Sequence, residues 1–332
     1  MEGTATVVKH TGSHYLLAQL PSWRLFPAVL RGKVRLKGSS ATNPVAVGDR
    51  VGFHADGEPL PDGGVPASET SPAAITAILP RRNYIIRKSV NLSRQAHIIA
   101  ANADRAFIVV TLAFPEVKLP FIDRLLVTCE VYGVKPVIVL NKMDIVEEFP
   151  EDFRPALENF RRIYKSAGYA IVEVSAKSGR GVERLRDLCL EPSEDGSPGV
   201  SLFSGVSGVG KSSLIKAMDP NLNPRTGEIS EAHLQGRHTT TFYEMYPLCG
   251  GEACIIDTPG IRGFGLVDLE PGEISLYFPE MLKASAGCRF TPCTHTHEPG
   301  CAVKDAVDAG TISPERYSSY LGMLEEYSKY RK

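Results

Sequence analysis

Residues 200–218 read VSLFSGVSGVGKSSLIKAM, and this stretch decides the fold. Val200-Ser201-Leu202-Phe203 is a short, mostly apolar run that predicts a buried strand. Ser213–Met218 has helical character. Between them, Gly205-Val206-Ser207-Gly208-Val209-Gly210-Lys211-Ser212 fits the pattern G-x-x-x-x-G-K-[ST]. Glycines let successive backbone N–H groups curl round phosphate oxygens, and the helix N-terminus adds partial positive charge. Lys211 is then expected at the β/γ-phosphates, Ser212 at a Mg²⁺ ion and Ser213 beside them. Taken alone, the string also suits a glycine-rich turn with a surface lysine.

Upstream, Ala106–Val110, Val137–Leu140 and Ile171–Val174 are further buried-strand runs, and downstream Ala253–Ile256 is another. Ile122, Leu125, Leu126 and Cys129 share one face of a helix. Strands alternating with helices predict a parallel α/β sheet, whose ligands lie beyond the carboxyl ends of the strands. Each polar motif follows such a strand.

Asn141-Lys142-Met143-Asp144 follows Leu140. An Asp here accepts two hydrogen bonds from guanine N1–H and the 2-amino group, which adenine cannot supply. Asn141 would brace the loop, and the Lys142 stem would cover the ring. Ser175-Ala176-Lys177 follows the next strand, where the Ala176 N–H can donate to guanine O6. Asp257-Thr258-Pro259-Gly260 ends the strand at Ile256. There Asp257 can bind the Mg²⁺ shell, and the Gly260 N–H can sense a γ-phosphate. Gly236-Arg237-His238-Thr239-Thr240-Thr241 offers threonines to close over Mg²⁺, although three threonines equally suit an exposed β segment. The position after Gly260 is Ile261, which cannot orient a water. His238 is the nearest candidate for that role, its rival reading being a solvent-facing or RNA-contacting loop residue.

Three of the seven cysteines lie close together, as Cys288-x4-Cys293-x-His295-x5-Cys301. Three thiolates and an imidazole suit a closed, four-coordinate structural zinc site. His297 competes with His295. Cys129, Cys189, Cys249 and Cys254 read as core thiols.

The amino-terminal part differs. Ala5–Val8, His14–Ala18, Phe26–Leu30, Asp49–Phe53 and Ala74–Leu79 are short strand-like runs punctuated by Gly and Pro, as in a small barrel. Residues 56–72 read as a long loop. Arg31, Lys33, Arg35 and Lys37 would share one strand face, a row suited to phosphates. Arg81, Arg82, Arg87 and Lys88 extend that basic character, and Trp23 and Phe26 can stack on bases or fill the core. Near the other end, Ser313-Pro314 predicts a helix start, and Tyr317, Tyr320, Leu321, Leu324 and Tyr327 form a packing stripe.

The motif set resembles that of translation-factor GTPases, but its order is changed. NKMD and SAK come first, then the phosphate loop, then GRHTTT and DTPG. With a barrel before it and a zinc cluster after it, the chain resembles the RsgA (YjeQ/YloQ) family of small-ribosomal-subunit GTPases over nearly its whole length. The resemblance implies a multidomain protein: an N-terminal β-barrel of the OB-fold type (1–88), a central α/β circularly permuted P-loop GTPase domain (89–280), and a C-terminal mainly helical zinc-binding domain (281–332). It implies GTP and GDP as ligands, Mg²⁺, one structural Zn²⁺, Thr240 ahead of Thr239 as the switch threonine, His295 ahead of His297 at zinc, and the small ribosomal subunit with its rRNA as partner. A monomer is the expected state.

Composition fits and excludes rivals. With 43% hydrophobic and 23% charged residues, wholesale disorder is excluded. A net charge of −1 confines any nucleic-acid site to a local patch. No apolar run reaches ~18 residues, so no membrane span is expected. Met1-Glu2-Gly3-Thr4-Ala5 has no leader character, which makes the cytoplasm the expected location. Two rivals stand: an RNA-binding module gated by nucleotide, and a small-molecule kinase. NKMD with SAK speaks against the kinase.

Overall fold

The computed structural model describes residues 1–11, 13–30, 44–88, 96–222, 224, 243–258 and 269–330, without the side chains of 87, 88, 96, 97 and 327–330. The basic row Arg31–Lys37 lies outside these residues.

Five strands build the barrel: β1 (Glu2–Thr11), β2 (His14–Gln19), β3 (Arg24–Leu30), β4 (Arg50–His54) and β5 (Ala73–Ile78). They run in the order β1-β2-β3-β5-β4, and β4 pairs back onto β1 to close the ring. Only β3–β5 is parallel. Alternation puts Val7, Leu17, Phe26, Val51, Phe53 and Ile75 inside. Phe26 therefore fills the core, 4.8 Å from the Phe53 ring, and is not available for stacking on a base. Trp23 packs partly against the core of the neighbouring sheet. Arg81 is also removed from the expected basic surface. Its Nε and one terminal nitrogen each donate at 2.6 Å to the buried Asp49 carboxylate. Burying that carboxylate is tolerable only with such a bidentate partner.

A separate hairpin, β6 (Tyr84–Lys88) and β7 (Ala96–Ala101), follows. Residues 56–72 form a loop, as expected. The α/β part then contains β8 (Arg105–Val110), α1 (Leu119–Val131), β9 (Lys135–Leu140), α2 (Met143–Glu148), α3 (Pro150–Ser166), β10 (Ile171–Glu173), α4 (Val182–Leu190), β11 (Gly199–Ser204), α5 (Lys211–Met218), β12 (Glu244–Leu248) and β13 (Ala253–Asp257). Their spatial order is β10-β9-β8-β11-β13-β12. The first five are parallel, as the unalternating runs predict. β12 is antiparallel, which departs from the expected all-parallel sheet. It joins β13 through a tight turn in which Gly250 and Gly251 take φ +73° and +106°. On its other side β12 pairs with β1, where Lys9 Nζ lies 2.8 Å from Glu244, so the sheet runs on into the barrel.

The last part is helical: a 3-10 segment Pro271–Tyr277, then α6 (Pro279–Ser285), α7 (Ala302–Asp308) and α8 (Pro314–Tyr330). Ile274, Phe278, Met281, Val303, Tyr320 and Met323 cluster with Val127 of α1. Arg316 seals this seam. It is fully buried, donates to Asp123 of α1 at 2.8 Å and to Glu280 at 2.7 Å, and lies 4.5 Å from the centre of the Phe278 ring. Among the described residues, no helix is long and apolar enough to cross a membrane.

Candidate functional site

The sheet order brings the carboxyl ends of β10, β9, β8, β11 and β13 side by side at one edge. The phosphate-loop candidate leaves β11, between β8 and β13. Gly205 has φ +153°, and a Cβ there would lie 2.3 Å from the Val109 carbonyl. Gly210, at φ +91°, caps α5, and a Cβ would meet Asn141 Nδ2 at 2.5 Å. Only glycine fits either place. Ser207, Gly208 and Ser213 are exposed and Ser212 half-buried, while the Val206 and Val209 side chains point partly or wholly into the core.

Lys211 is the first residue of α5, and its side chain folds back over the loop. Nζ donates to the Gly205 carbonyl at 2.7 Å and the Val206 carbonyl at 3.2 Å. Burial pushes its pKa down, and the charge of Asp257 opposes that. Burial likewise raises Asp257 to about 6, with Lys211 opposing. Asp257 Oδ1 is buried with no hydrogen-bond partner among the described residues. An orphaned carboxylate oxygen next to a phosphate loop suits the hydration shell of a divalent cation. Thr258 Oγ1 is occupied, donating to Phe203 O at 2.7 Å.

Asn141 joins three loops. Its N–H donates to Val110 O at 2.8 Å, its Nδ2 donates to Val209 O at 2.7 Å, and its Oδ1 accepts from the Ala176 N–H at 3.3 Å. Lys142 has φ +63°, and its Nζ donates to the Phe114 carbonyl. The Met143 side chain is buried in the core, which leaves only its backbone to the loop. Asp144 is oriented by the Ser175 hydroxyl, which donates to Oδ1 at 2.6 Å, and Lys177 Nζ stands 3.9 Å from Oδ2. Ser175 Oγ also accepts from the Ser178 N–H at 3.1 Å. NKMD and SAK are thus hydrogen-bonded into one unit that is joined to the candidate phosphate loop at Val209. His238, Thr239, Thr240, Gly260 and Ile261 lie outside the described residues.

A second constellation sits in the helical part. The ligand atoms of Cys288, Cys293, His295 and Cys301 all lie within 4.8 Å of one another. His295 Nδ1 is 3.3 Å from Cys301 Sγ and 3.7 Å from Cys288 Sγ, and the two sulfurs are 4.0 Å apart. A tetrahedral zinc with bonds of about 2.3 Å to sulfur separates its ligands by roughly 3.8 Å, so the set fits that ion. His297 is exposed and outside the cluster. The tyrosine stripe does more than pack. Tyr317 and Tyr320 hydroxyls donate at 2.6 Å to the carbonyls of His295 and Thr294 and tie the candidate metal loop to α8. Of the other cysteines, Cys129, Cys189 and Cys254 are buried thiols and Cys249 is half-buried.

Two features escape a reading of the sequence. The Arg316 ion triad pairs residues from three distant segments and leaves no local pattern. The loop after β8 reaches the site without a polar motif.

Residues 78–267, more than half of the chain, match the RsgA GTPase family. The "Small ribosomal subunit biogenesis GTPase RsgA" of Bacteroides fragilis (strain YCH46) is 46% identical over 327 residues, 98% of each chain. That of Flavobacterium johnsoniae is 44% identical over 322 residues, 97% of this chain and 93% of the relative. Among solved structures, YjeQ from Thermotoga maritima superposes with a TM-score of 0.74 at 31% identity, covering 98% of both chains. YloQ, described as a circularly permuted GTPase, superposes with a TM-score of 0.69 at 24% identity, covering 100% of this chain and 96% of its own, and shares the fold.

The Asp257 carboxyl carries a pH signature. Its folded-state pKa lies above its ordinary value of 3.8, so the stability it contributes is present below that value and lost as pH rises through about 6. Asp257→Asn should therefore stabilise the nucleotide-free, magnesium-free protein at pH 8 by on the order of 1–3 kcal/mol. The gain should shrink toward pH 4. Urea midpoints across that range check it, and destabilisation at pH 8 would contradict it.

Proposed function

The chain belongs to the RsgA GTPase family, a family of GTP-hydrolysing enzymes, and from that premise we propose that it binds the small ribosomal subunit late in its maturation and turns over GTP faster when bound there. The observation that carries the nucleotide part is the junction at Asn141, which holds the candidate base-reading loops against the candidate phosphate loop.

In this reading Asp144 accepts from guanine N1–H and the 2-amino group, while Ser175 holds the carboxylate in place. Ala176 N–H exchanges its long bond to Asn141 for guanine O6. Lys211 leaves its two loop carbonyls for the β/γ-phosphates. Backbone N–H groups of Gly208 to Ser213 receive the phosphate oxygens and stabilise charge as the Pγ–O bond to GDP breaks. Ser212, Asp257 and Thr240 are the candidate holders of Mg²⁺, which would supply neutralisation of phosphate charge. Ile261 cannot orient the attacking water, so His238 takes that part, and ordering of its segment by the subunit is the proposed source of acceleration. Gly260 senses the γ-phosphate.

The three units are proposed at 1–88, 89–280 and 281–332. The first carries the row Arg31, Lys33, Arg35 and Lys37 toward rRNA phosphates. Cys288, Cys293, His295 and Cys301 would hold one structural zinc, which supplies folding energy to a segment with a small core of its own. A monomeric, cytoplasmic protein completes the proposal.

Phosphate release from GTP should rise strongly on adding purified small subunits, but not large subunits, and ATP should not substitute. His238→Ala should keep GTP binding and lose most of that stimulation. An equal rate with and without small subunits would remove the ribosomal part. Separately, metal analysis should return one zinc per chain. Complete removal by a chelator should strip amide protection from 281–332 before the sheet opens, and full protection after removal would contradict the zinc assignment.

A further inference from the structure

The loop joining β8 to α1 crosses the same edge as the candidate nucleotide loops, yet none of the assignments above uses its side chains. Thr111 to Lys118 read TLAFPEVK. The loop is internally braced, with the Val117 N–H donating to Thr111 O at 3.1 Å and Thr111 Oγ1 donating to Pro115 O. It touches both halves of the site. Pro115 lies against the phosphate loop, 3.4 Å from where a Cβ on Gly208 would sit. The Phe114 carbonyl accepts from Lys142 Nζ, the lysine of NKMD.

Phe114 is held in an unfavourable state on two counts. The residue is 73% exposed, the most of any large apolar residue among the described residues. Its backbone has φ +51°, in the left-handed region that disfavours a bulky residue. Glycine or asparagine would meet the backbone demand better, and core packing does not explain the ring. Strain that packing does not repay is expected where a ligand does.

We propose that Phe114 is a substrate-contact residue, an aromatic wall beside Lys142 against which the nucleoside of GDP or GTP packs. This rests on the guanine-nucleotide reading above. An aromatic face contributes affinity without choosing the base, since every base has a π face. The choice stays with Asp144.

The test compares wild type with Phe114→Ala, Phe114→Gly and Phe114→Tyr, using GDP and inorganic tripolyphosphate with Mg²⁺. Ala and Gly should weaken GDP binding about tenfold, the scale of one aromatic stacking contact, and Tyr should keep it. Tripolyphosphate, which has no nucleoside, should bind all four alike. The nucleotide-free Gly variant should melt no lower than wild type, because glycine accepts φ +51°. Unchanged GDP affinity in Ala and Gly would overturn the proposal. So would equal losses for GDP and tripolyphosphate, which would mean that the loop acts only by shaping Lys142 or the phosphate loop. A wild type that binds tripolyphosphate but not GDP would overturn the guanine reading and this proposal together.

Discussion

The candidate site depends on one buried amide. Asn141 spends its side chain on Val209 O and the Ala176 N–H, and its own N–H on Val110 O. Val209 and Ala176 belong to the loops after β11 and β10, Val110 ends β8, and Asn141 itself follows β9. A polar side chain buried this far must have its donors and acceptors met, so the arrangement admits few alternatives. The close fit extends to Gly210, where any Cβ would collide with Asn141 Nδ2. One residue thereby sets the spacing between the candidate base-reading and candidate phosphate loops.

That is why the changed chain order leaves the site intact. Parallel strands present their carboxyl-end loops at one edge whatever the sequence in which they are visited. The order β10-β9-β8-β11-β13 sets the neighbours, and the chain enters and leaves the sheet elsewhere. The chain comes from the barrel through the β6–β7 hairpin into β8, and the barrel also meets the sheet laterally where β12 pairs with β1. The exit leads to the helical part, which is clamped to α1 by Arg316 between Asp123 and Glu280. A buried guanidinium between two carboxylates binds a small apolar seam tightly in one register, because losing either partner strands a buried charge. The candidate metal loop is tied to α8, the helix that carries Arg316, through Tyr317 and Tyr320.

Much of this was legible in the sequence. Runs such as Ala106–Val110 and Val137–Leu140 have no alternation because both faces are buried, and each site motif follows such a run. The Cys288–Cys301 spacing likewise reflects a local loop. The misses have physical causes. Glu244-Met-Tyr-Pro-Leu hides β12, since Pro247 interrupts its apolar pattern and only Met245 and Leu248 are buried. Arg81 reads as surface charge, but its partner Asp49 is 32 residues away and becomes visible only in space. Phe26 could be assigned to surface or core only once the barrel closed. Phe114 looks like an ordinary loop aromatic until its φ and exposure are known.

The central claim is that strands in permuted order assemble one guanine-reading pocket around Asp144. Its direct test is nucleotide selectivity of Asp144→Asn. The asparagine Oδ1 can still accept from Ser175, so the loop should persist, while its amide donates where guanine needs an acceptor and xanthine offers a carbonyl. GDP affinity should fall at least about a hundredfold and xanthosine diphosphate should become the preferred ligand, because unpaired buried polar groups discriminate on that scale. Unchanged GDP affinity, with no gain for xanthosine diphosphate, would contradict the account.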